Sequence, residues 1–484
     1  MTEKFDIIII GGGVSGIGAA CQLKLKMPHL TYVILESRGS LGGTWDHYKY
    51  PGVRTDSDMY TMAYSFNPWK DNKTTASASC VRSYLIETAE KYDVERHVRY
   101  HHKAKKAKWN SNDNKWTIDA EHISGVKAEF IGSFIFMCSG YTNFNHIYDP
   151  KFPDIEKFQG QVLHPQNWPK ELDYKDKEII VIGSGATAIT IVPALSERAK
   201  HVTMLQRSPS YILQLPNIDP IARFCSNYLP LWLGNLIMRV KNIFEQQIVY
   251  IISKLCNNLL KRFLIGDLKH KFKDWKKNRE HFIPTYPVLT QRLCLSPDTV
   301  FTDSINNQDV SIITDTIEKF TEKGLKLHSG RELTADIVVT ATGFDLYALG
   351  GVEFEIDGVP VVDATTKCTY KGVMLVGVPN MIVAMGYLTA SWTLRIDMVF
   401  AYACRLLQHM EQRGVRSCCP RPPPTDMPLQ SIFSIFNSSY LTRGSNNFFH
   451  CGNKFPYAVN HNYYVDWWTF HYGALEDQWL QLQQ

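Results

Sequence analysis

Phe5-Asp-Ile-Ile-Ile-Ile10-Gly11-Gly-Gly13-Val14-Ser15-Gly16 is an unbroken apolar run that ends in three spaced glycines. A run of that length with no polar alternation suits a strand buried on both faces of a parallel sheet. The Gly-x-Gly-x-x-Gly spacing gives a tight turn, lets backbone approach a pyrophosphate, and lets the following helix pack closely. That helix is predicted through Ala19, Ala20 and Leu23, with its N-terminus facing the phosphates. Tyr32-Val-Ile-Leu35 reads as the next strand and ends in Glu36, an acceptor for ribose hydroxyls. Strand, turn, helix, strand and acid in this order predict a dinucleotide site built from Gly11, Gly13, Val14, Ser15, Gly16 and Glu36.

The pattern occurs a second time. Ile179-Ile-Val-Ile182 leads into Gly183-Ser184-Gly185-Ala186-Thr187-Ala188-Ile189, with alanine in the third glycine position, a substitution such turns accept. The next strand, His201 to Gln206, ends in Arg207-Ser208 where the first site has an acid. A guanidinium at the ribose end offers a bidentate fork to a 2′-phosphate. The second ligand is therefore expected to be NADPH. One turn with Glu36 and one with Arg207 together predict electron transfer from NADPH to FAD. The expected fold is α/β, with two doubly wound Rossmann-like domains. Residues 1–145 and 335–484 are expected to hold FAD, and 146–334 NADPH.

Bulk properties fit this class. Of 484 residues, 44% are hydrophobic and 20% charged, an ordinary globular balance. The net charge of +5 is too mild to predict a nucleic-acid partner. Eleven cysteines show neither Cys-x-x-Cys spacing nor a regular framework, which points to a reducing, cytoplasmic compartment and to no metal site. No apolar run is long enough to cross a bilayer. A helical insert is expected over about 215–285. Phe244, Ile248, Ile251, Ile252, Leu255, Leu259 and Leu260 follow helical spacing, and Lys261, Arg262, Lys269, Lys271, Lys273, Lys276, Lys277 and Arg279 follow them. The simpler reading packs the apolar stripe on the core and leaves the basic face in water. The alternative is a substrate lid or a peripheral contact with the inner face of a membrane.

Two further stretches carry a resemblance. Gly42-Gly43-Thr44-Trp45-Asp46-His47-Tyr-Lys-Tyr50-Pro51-Gly52-Val-Arg54-Thr55-Asp56 reads as a loop wrapped on a flat ligand. Phe158-Gln-Gly160-Gln-Val-Leu-His164-Pro-Gln-Asn-Trp168-Pro169 lies just ahead of the second glycine turn. Both resemble, at every patterned position, the recurrent motifs of type I Baeyer–Villiger monooxygenases. The resemblance implies oxygenation of ketones to esters or lactones through a flavin C4a-peroxide, with sulfides and thioamides as further substrates and O2 as co-substrate. It places Thr44, Trp45, Asp46, His47 and Ala104 on FAD, Arg54 and Thr55 on NADP, and Asp56 beside both. Arg292, in Gln291-Arg292-Leu-Cys-Leu, matches an arginine that the family carries after its helical insert. A fixed cation there stabilises a developing oxyanion, and Asp56 orients it. Phe158, Gly160, His164, Trp168 and Pro169 are expected to form a hinge and register between the domains. A heteroatom-oxidising flavin monooxygenase is the runner-up, disfavoured by the Trp168-Pro169 ending, and a non-enzymatic flavin-bound sensor, which would need neither Arg207 nor Arg292, is the third reading.

Overall fold

A computed structural model describes residues 2–484. A nine-stranded sheet carries the first domain. Its parallel part runs Val98–Arg99, Tyr32–Leu35, Thr2–Ile10, Lys127–Met137 and Met381–Val383 in spatial order. Ile7 to Ile10 and Tyr32 to Leu35 are buried, as strands covered on both faces must be. The long strand Lys127–Met137 is shared. On the side away from Thr2–Ile10, its first half pairs antiparallel with Lys115–His122 and its last residues pair parallel with Met381–Val383. Helix Val14–Lys26 packs against helix Trp392–Arg413 beneath this sheet.

The second domain has a five-stranded, all-parallel sheet. Its order is Val310–Thr314, His201–Gln206, Glu178–Ile182, Ile337–Thr340 and Gln161–Leu163. Separate apolar clusters cover the two faces, one around Ile179, Val181 and Ile189 and the other around Ile180, Ile182 and Leu205. The alternation of Ile179 to Ile182 between them accounts for the unbroken apolar run. Ile337–Thr340 belongs to this sheet, so the chain returns to the first domain after Thr340 and not at residue 335. Gln161–Leu163, inside the expected hinge, is the edge strand of the same sheet.

The insert departs from expectation more sharply. It comprises helices Pro220–Tyr228, Leu231–Leu255 and Asn257–Lys271 and a turn at Trp275–Asn278. The long helix is inverted: its polar stripe faces the protein and its apolar stripe faces out. Asn242 Nδ2 donates to Asp58 at 2.7 Å, Gln246 Nε2 to the other Asp58 oxygen at 2.9 Å, and Arg239 to Asp397 at 3.1 Å. Meanwhile Phe244, Ile251, Leu255 and Leu259 are exposed, Leu255 at 78%. Of the stripe expected on the core, Leu260 is buried. Periodicity located the two faces; partners more than 100 residues away in sequence chose which one turned inward.

Candidate active site

Each glycine turn sits where its sheet reverses order, the place where open α/β sheets bind ligands. Gly11 has φ +107°, and a Cβ there would lie 2.5 Å from the Cys138 carbonyl oxygen at the end of the neighbouring strand. Gly183 repeats the solution, with φ +136° and its would-be Cβ 2.4 Å from the Ala341 oxygen. A Cβ on Gly16 would strike the Gly11 oxygen. Helices Val14–Lys26 and Ala186–Ser196 start at Gly13 and Gly185 with no side-chain cap. Their first N–H groups are thus left for an anion. Glu36 is held in place by backbone: Gly12 N–H donates to one carboxylate oxygen at 2.7 Å and Arg38 N–H to the other at 2.8 Å. Burial pushes its carboxyl above the usual range, while these donors oppose the shift.

Both turns open into one cavity of about 1420 Å³. Gly11, Gly13, Val14, Ser15, Glu36, Thr44, Trp45 and Ala104 line its first arm. Gly183, Ser184, Gly185, Ala186, Thr187, Arg207 and Ser208 line the second, and Arg54, Asp56 and Arg292 lie on its wall as well. Gly16, Ala188 and Ile189 stand behind the turns and do not line it. Their smallness or apolarity serves packing. Thr55 is buried, and its hydroxyl accepts from Ala76 N–H, so it faces the protein and not the cavity.

Thr44 to His47 form a single helical turn, where sequence predicted irregular loop. One turn cannot point four side chains the same way. Thr44 and Trp45 face the cavity, whereas Asp46 and His47 do not line it. Asp46 is caged by Ser40 at 2.6 Å, Arg82 at 2.7 Å and Arg38 at 2.5 Å. Burial raises its carboxyl pKa, but these hydrogen bonds and the nearby Lys49 outweigh it and hold the group below the ordinary value. His47 stacks on Phe144, ring centroids 4.2 Å apart, and burial pulls its pKa down to about 4. Asp46 therefore anchors the loop from behind the cavity wall. Asp46→Ala is expected to cost about 3 kcal/mol, because the cage loses its only buried anion. The sign follows from the lowered pKa: the stabilisation is complete above the unfolded carboxylate value and is lost as pH falls below about 4. Denaturant unfolding of parent and variant at neutral pH checks the magnitude, and the gap should narrow only at acid pH.

Arg292 and Asp56 form the most chemically directed pair in the cavity. Arg292 Nη1 donates to Asp56 Oδ2 at 2.6 Å, and Nη2 reaches the Tyr141 hydroxyl at 3.4 Å. Burial works against the guanidinium charge, and Tyr141, Tyr440 and Asp56 more than offset it, so Arg292 remains cationic. Its Nε is buried without a partner, as are Arg54 Nε and Thr342 Oγ1 on the same wall. Unpartnered donors around an open cavity fit polar ligands that complete them. The residues present thus fit FAD in the first arm and NADPH in the second. Among the described residues, no group of His, Cys, Asp or Glu is placed to hold a metal ion.

The fingerprint stretch braces this cavity more than it lines it. His164 Nδ1 accepts from Gln166 N–H at 3.2 Å, which leaves the proton on Nε2 to donate to the Gly343 oxygen at 3.1 Å. Burial lowers its pKa, consistent with a neutral ring. Gln166 Nε2 donates to the carbonyls of Asn143 and His146, at 2.8 and 3.2 Å. The stretch therefore ties together both chain crossings between the domains, near 143–146 and 343. Phe158 packs in the second domain against Phe320, and a Cβ on Gly160 would sit 2.4 Å from the Asp336 oxygen. Trp168 packs against the other face of that sheet. Phe158, Gly160, Trp168 and Pro169 do not line the cavity; His164 does.

With two nucleotide turns, one shared cavity and a cation on its wall, comparison with known proteins is decisive. A model described as flavin-binding monooxygenase-like matches residues 4–375. The chain belongs to that family. It is 41% identical to the FAD-containing monooxygenase EthA of Mycobacterium tuberculosis over 484 residues, covering 99% of this chain and 98% of that protein. It is 40% identical to the probable FAD-binding monooxygenase AlmA of Acinetobacter baylyi, covering 96% and 93%. Two solved structures share the fold over the full length of both chains at 19% identity. They are OTEMO in complex with FAD and NADP, at TM-score 0.75, and cyclohexanone-bound cyclohexanone monooxygenase, at 0.73.

As a flavin monooxygenase, the protein has site residues that sequence reading missed. Trp392 stacks on Tyr141 at 5.2 Å and donates its indole N–H to Ser15 at 3.0 Å. Tyr440 and Phe344 join the same wall. Tyr141 follows the Ser139-Gly140 turn at a strand end, a local signal that could have marked it. Trp392 and Tyr440 carry no such signal, because their neighbours are distant in sequence.

Proposed function

We propose that this FAD- and NADPH-dependent monooxygenase performs Baeyer–Villiger oxidation of small apolar ketones, and also oxygenates sulfides or thioamides at sulfur. The balanced reaction is ketone + O2 + NADPH + H+ giving ester or lactone + NADP+ + H2O. FAD and NADPH, when bound, supply the two electrons and the activated oxygen. Arg292 provides a fixed positive charge where an oxyanion develops, and such a donor is worth most in a cavity wall shielded from water. Asp56 holds the guanidinium at the angle set by their 2.6 Å contact. Arg207 and Ser208 grip the 2′-phosphate, and Glu36 the FAD ribose. The Arg292–Asp56 pair, on the one cavity that both turns share, is the observation that carries this reading. The chain's likeness to FAD-containing and FAD-binding monooxygenases supports the flavin-dependent part of this reading.

The argument against the runner-up, oxidation of heteroatoms alone, was the Trp168-Pro169 ending, and it weakens here. Trp168 is packed in the second domain, so the Trp-Pro ending does not touch the reacting groups. The test is product analysis under 18O2 with an aliphatic ketone and a thioether offered separately. One 18O in an ester and one in a sulfoxide are expected. Sulfoxide with no ester from any ketone would establish the runner-up.

A further inference from the structure

The inverted insert leaves an apolar surface that no part of this chain covers. Trp232, Leu236, Val240 and Phe244 recur every fourth residue along helix Leu231–Leu255, all more than half exposed. Leu259 and Phe263 continue the stripe on the next helix, at 64% and 65% exposure. The C-terminal helix Tyr463–His471 adjoins it, since Tyr463 N–H donates to Gln247 at 3.1 Å, and it adds Tyr464 and Trp468. Soluble surfaces rarely carry contiguous apolar patches of this extent without a partner.

Charge identifies the partner. Residues 220–281 hold twelve Lys or Arg and four Asp or Glu, a net of +8, so the rest of a chain of net +5 carries −3. Arg223, Lys254, Arg262 and Lys269 are exposed and in no ion pair among the described residues. Two copies of this face would repel each other in a symmetric dimer. An anionic bilayer surface attracts the basic residues at about 1 kcal/mol each, and receives Trp and Tyr at its interface. No helix among the described residues is long and apolar enough to cross a membrane, so the contact is peripheral.

The face also leads inward. Phe263 lies both on the exposed stripe and on the cavity wall, and Val249 lines the cavity from the long helix. We infer that the apolar face of the insert docks on an anionic lipid surface and that the cavity mouth at Val249 and Phe263 takes up apolar substrate dissolved in that surface. This rests on the substrate class proposed above.

Flotation of the purified holoenzyme with phosphatidylcholine vesicles, with and without phosphatidylglycerol, tests docking without any turnover. Parent protein should float with the anionic vesicles and release as salt is raised. The triple variant Trp232→Glu, Leu255→Glu, Leu259→Glu should partition at least about 10-fold less. It should oxidise a water-soluble short ketone as the parent does, and show a raised KM only for a long-chain ketone held in vesicles. Three results would overturn the inference: parent protein that stays unbound, a variant that floats equally, or light scattering showing self-association that the substitutions abolish. Flotation without product from any ketone would leave docking intact and strike the proposed reaction instead.

Discussion

Arg292→Ala is expected to keep oxidising NADPH while product formation from a ketone falls by about 10²- to 10³-fold. The guanidinium stands in the wall shared by both arms and is held by Asp56 at 2.6 Å. Removing it leaves both glycine turns and Arg207 untouched, so nucleotide binding and flavin reduction should persist. What disappears is the positive charge beside the developing oxyanion. Electrons then leave as hydrogen peroxide, which a peroxidase-coupled assay measures alongside ester yield. Arg292→Lys should recover part of the activity, because it keeps the charge and loses the fork that reaches Asp56 and Tyr141 together. Asp56→Asn should show a smaller loss than Arg292→Ala, since its work is to orient. Ester formation near the parental rate in Arg292→Ala would remove that residue from the reaction.

The nucleotide turns were legible in the sequence because their requirement is local and steric. Only glycine tolerates φ +107° at position 11 and φ +136° at position 183 with a strand-end carbonyl within 2.5 Å of a would-be Cβ. The apolar runs before them were legible because both faces of each strand are covered. Motif reading overreached where it assumed that adjacent residues share a target. Asp46 and His47 follow Thr44 and Trp45 directly, yet one helical turn sends them to Arg82 and Phe144. Thr55 likewise faces the protein, while Arg54 and Asp56 on either side line the cavity.

The insert was half legible. Helical spacing marked an apolar stripe and a polar stripe, but which one packs inward depends on partners. Asp58, Asp397 and the Tyr60 and Ala63 carbonyls draw Asn242, Arg239 and Gln246 inward, because these polar groups would otherwise be buried unsatisfied. None of those pairings is visible from spacing. The expected boundary at 335 slipped for a related reason: Ile337–Thr340 has the sequence of a strand buried in either sheet, and only its pairing with Glu178–Ile182 assigns it.

Arg207→Ala should abolish the coenzyme preference without harming the chemistry. Arg207 follows the second strand of its sheet, on the cavity wall, where the first site carries Glu36. A carboxylate and a guanidinium at matching places have opposite consequences: one accepts from ribose hydroxyls, the other needs a phosphate to justify it. Arg207 is exposed and in no ion pair among the described residues, so no internal anion competes for its fork. Loss of a charge-assisted contact of this kind costs about 2–3 kcal/mol, roughly a 30- to 150-fold drop in kcat/KM for NADPH. NADH has no 2′-phosphate, and its kcat/KM should stay within about 2-fold of the parent, since the remaining contacts are unchanged. Steady-state kinetics with both coenzymes on parent and variant read this directly. The parent should strongly prefer NADPH, and the preference should collapse in the variant through KM. An equal fall with both coenzymes would mean that Arg207 shapes the turn and does not read the phosphate. A parent that uses NADH as well as NADPH would remove the 2′-phosphate site altogether.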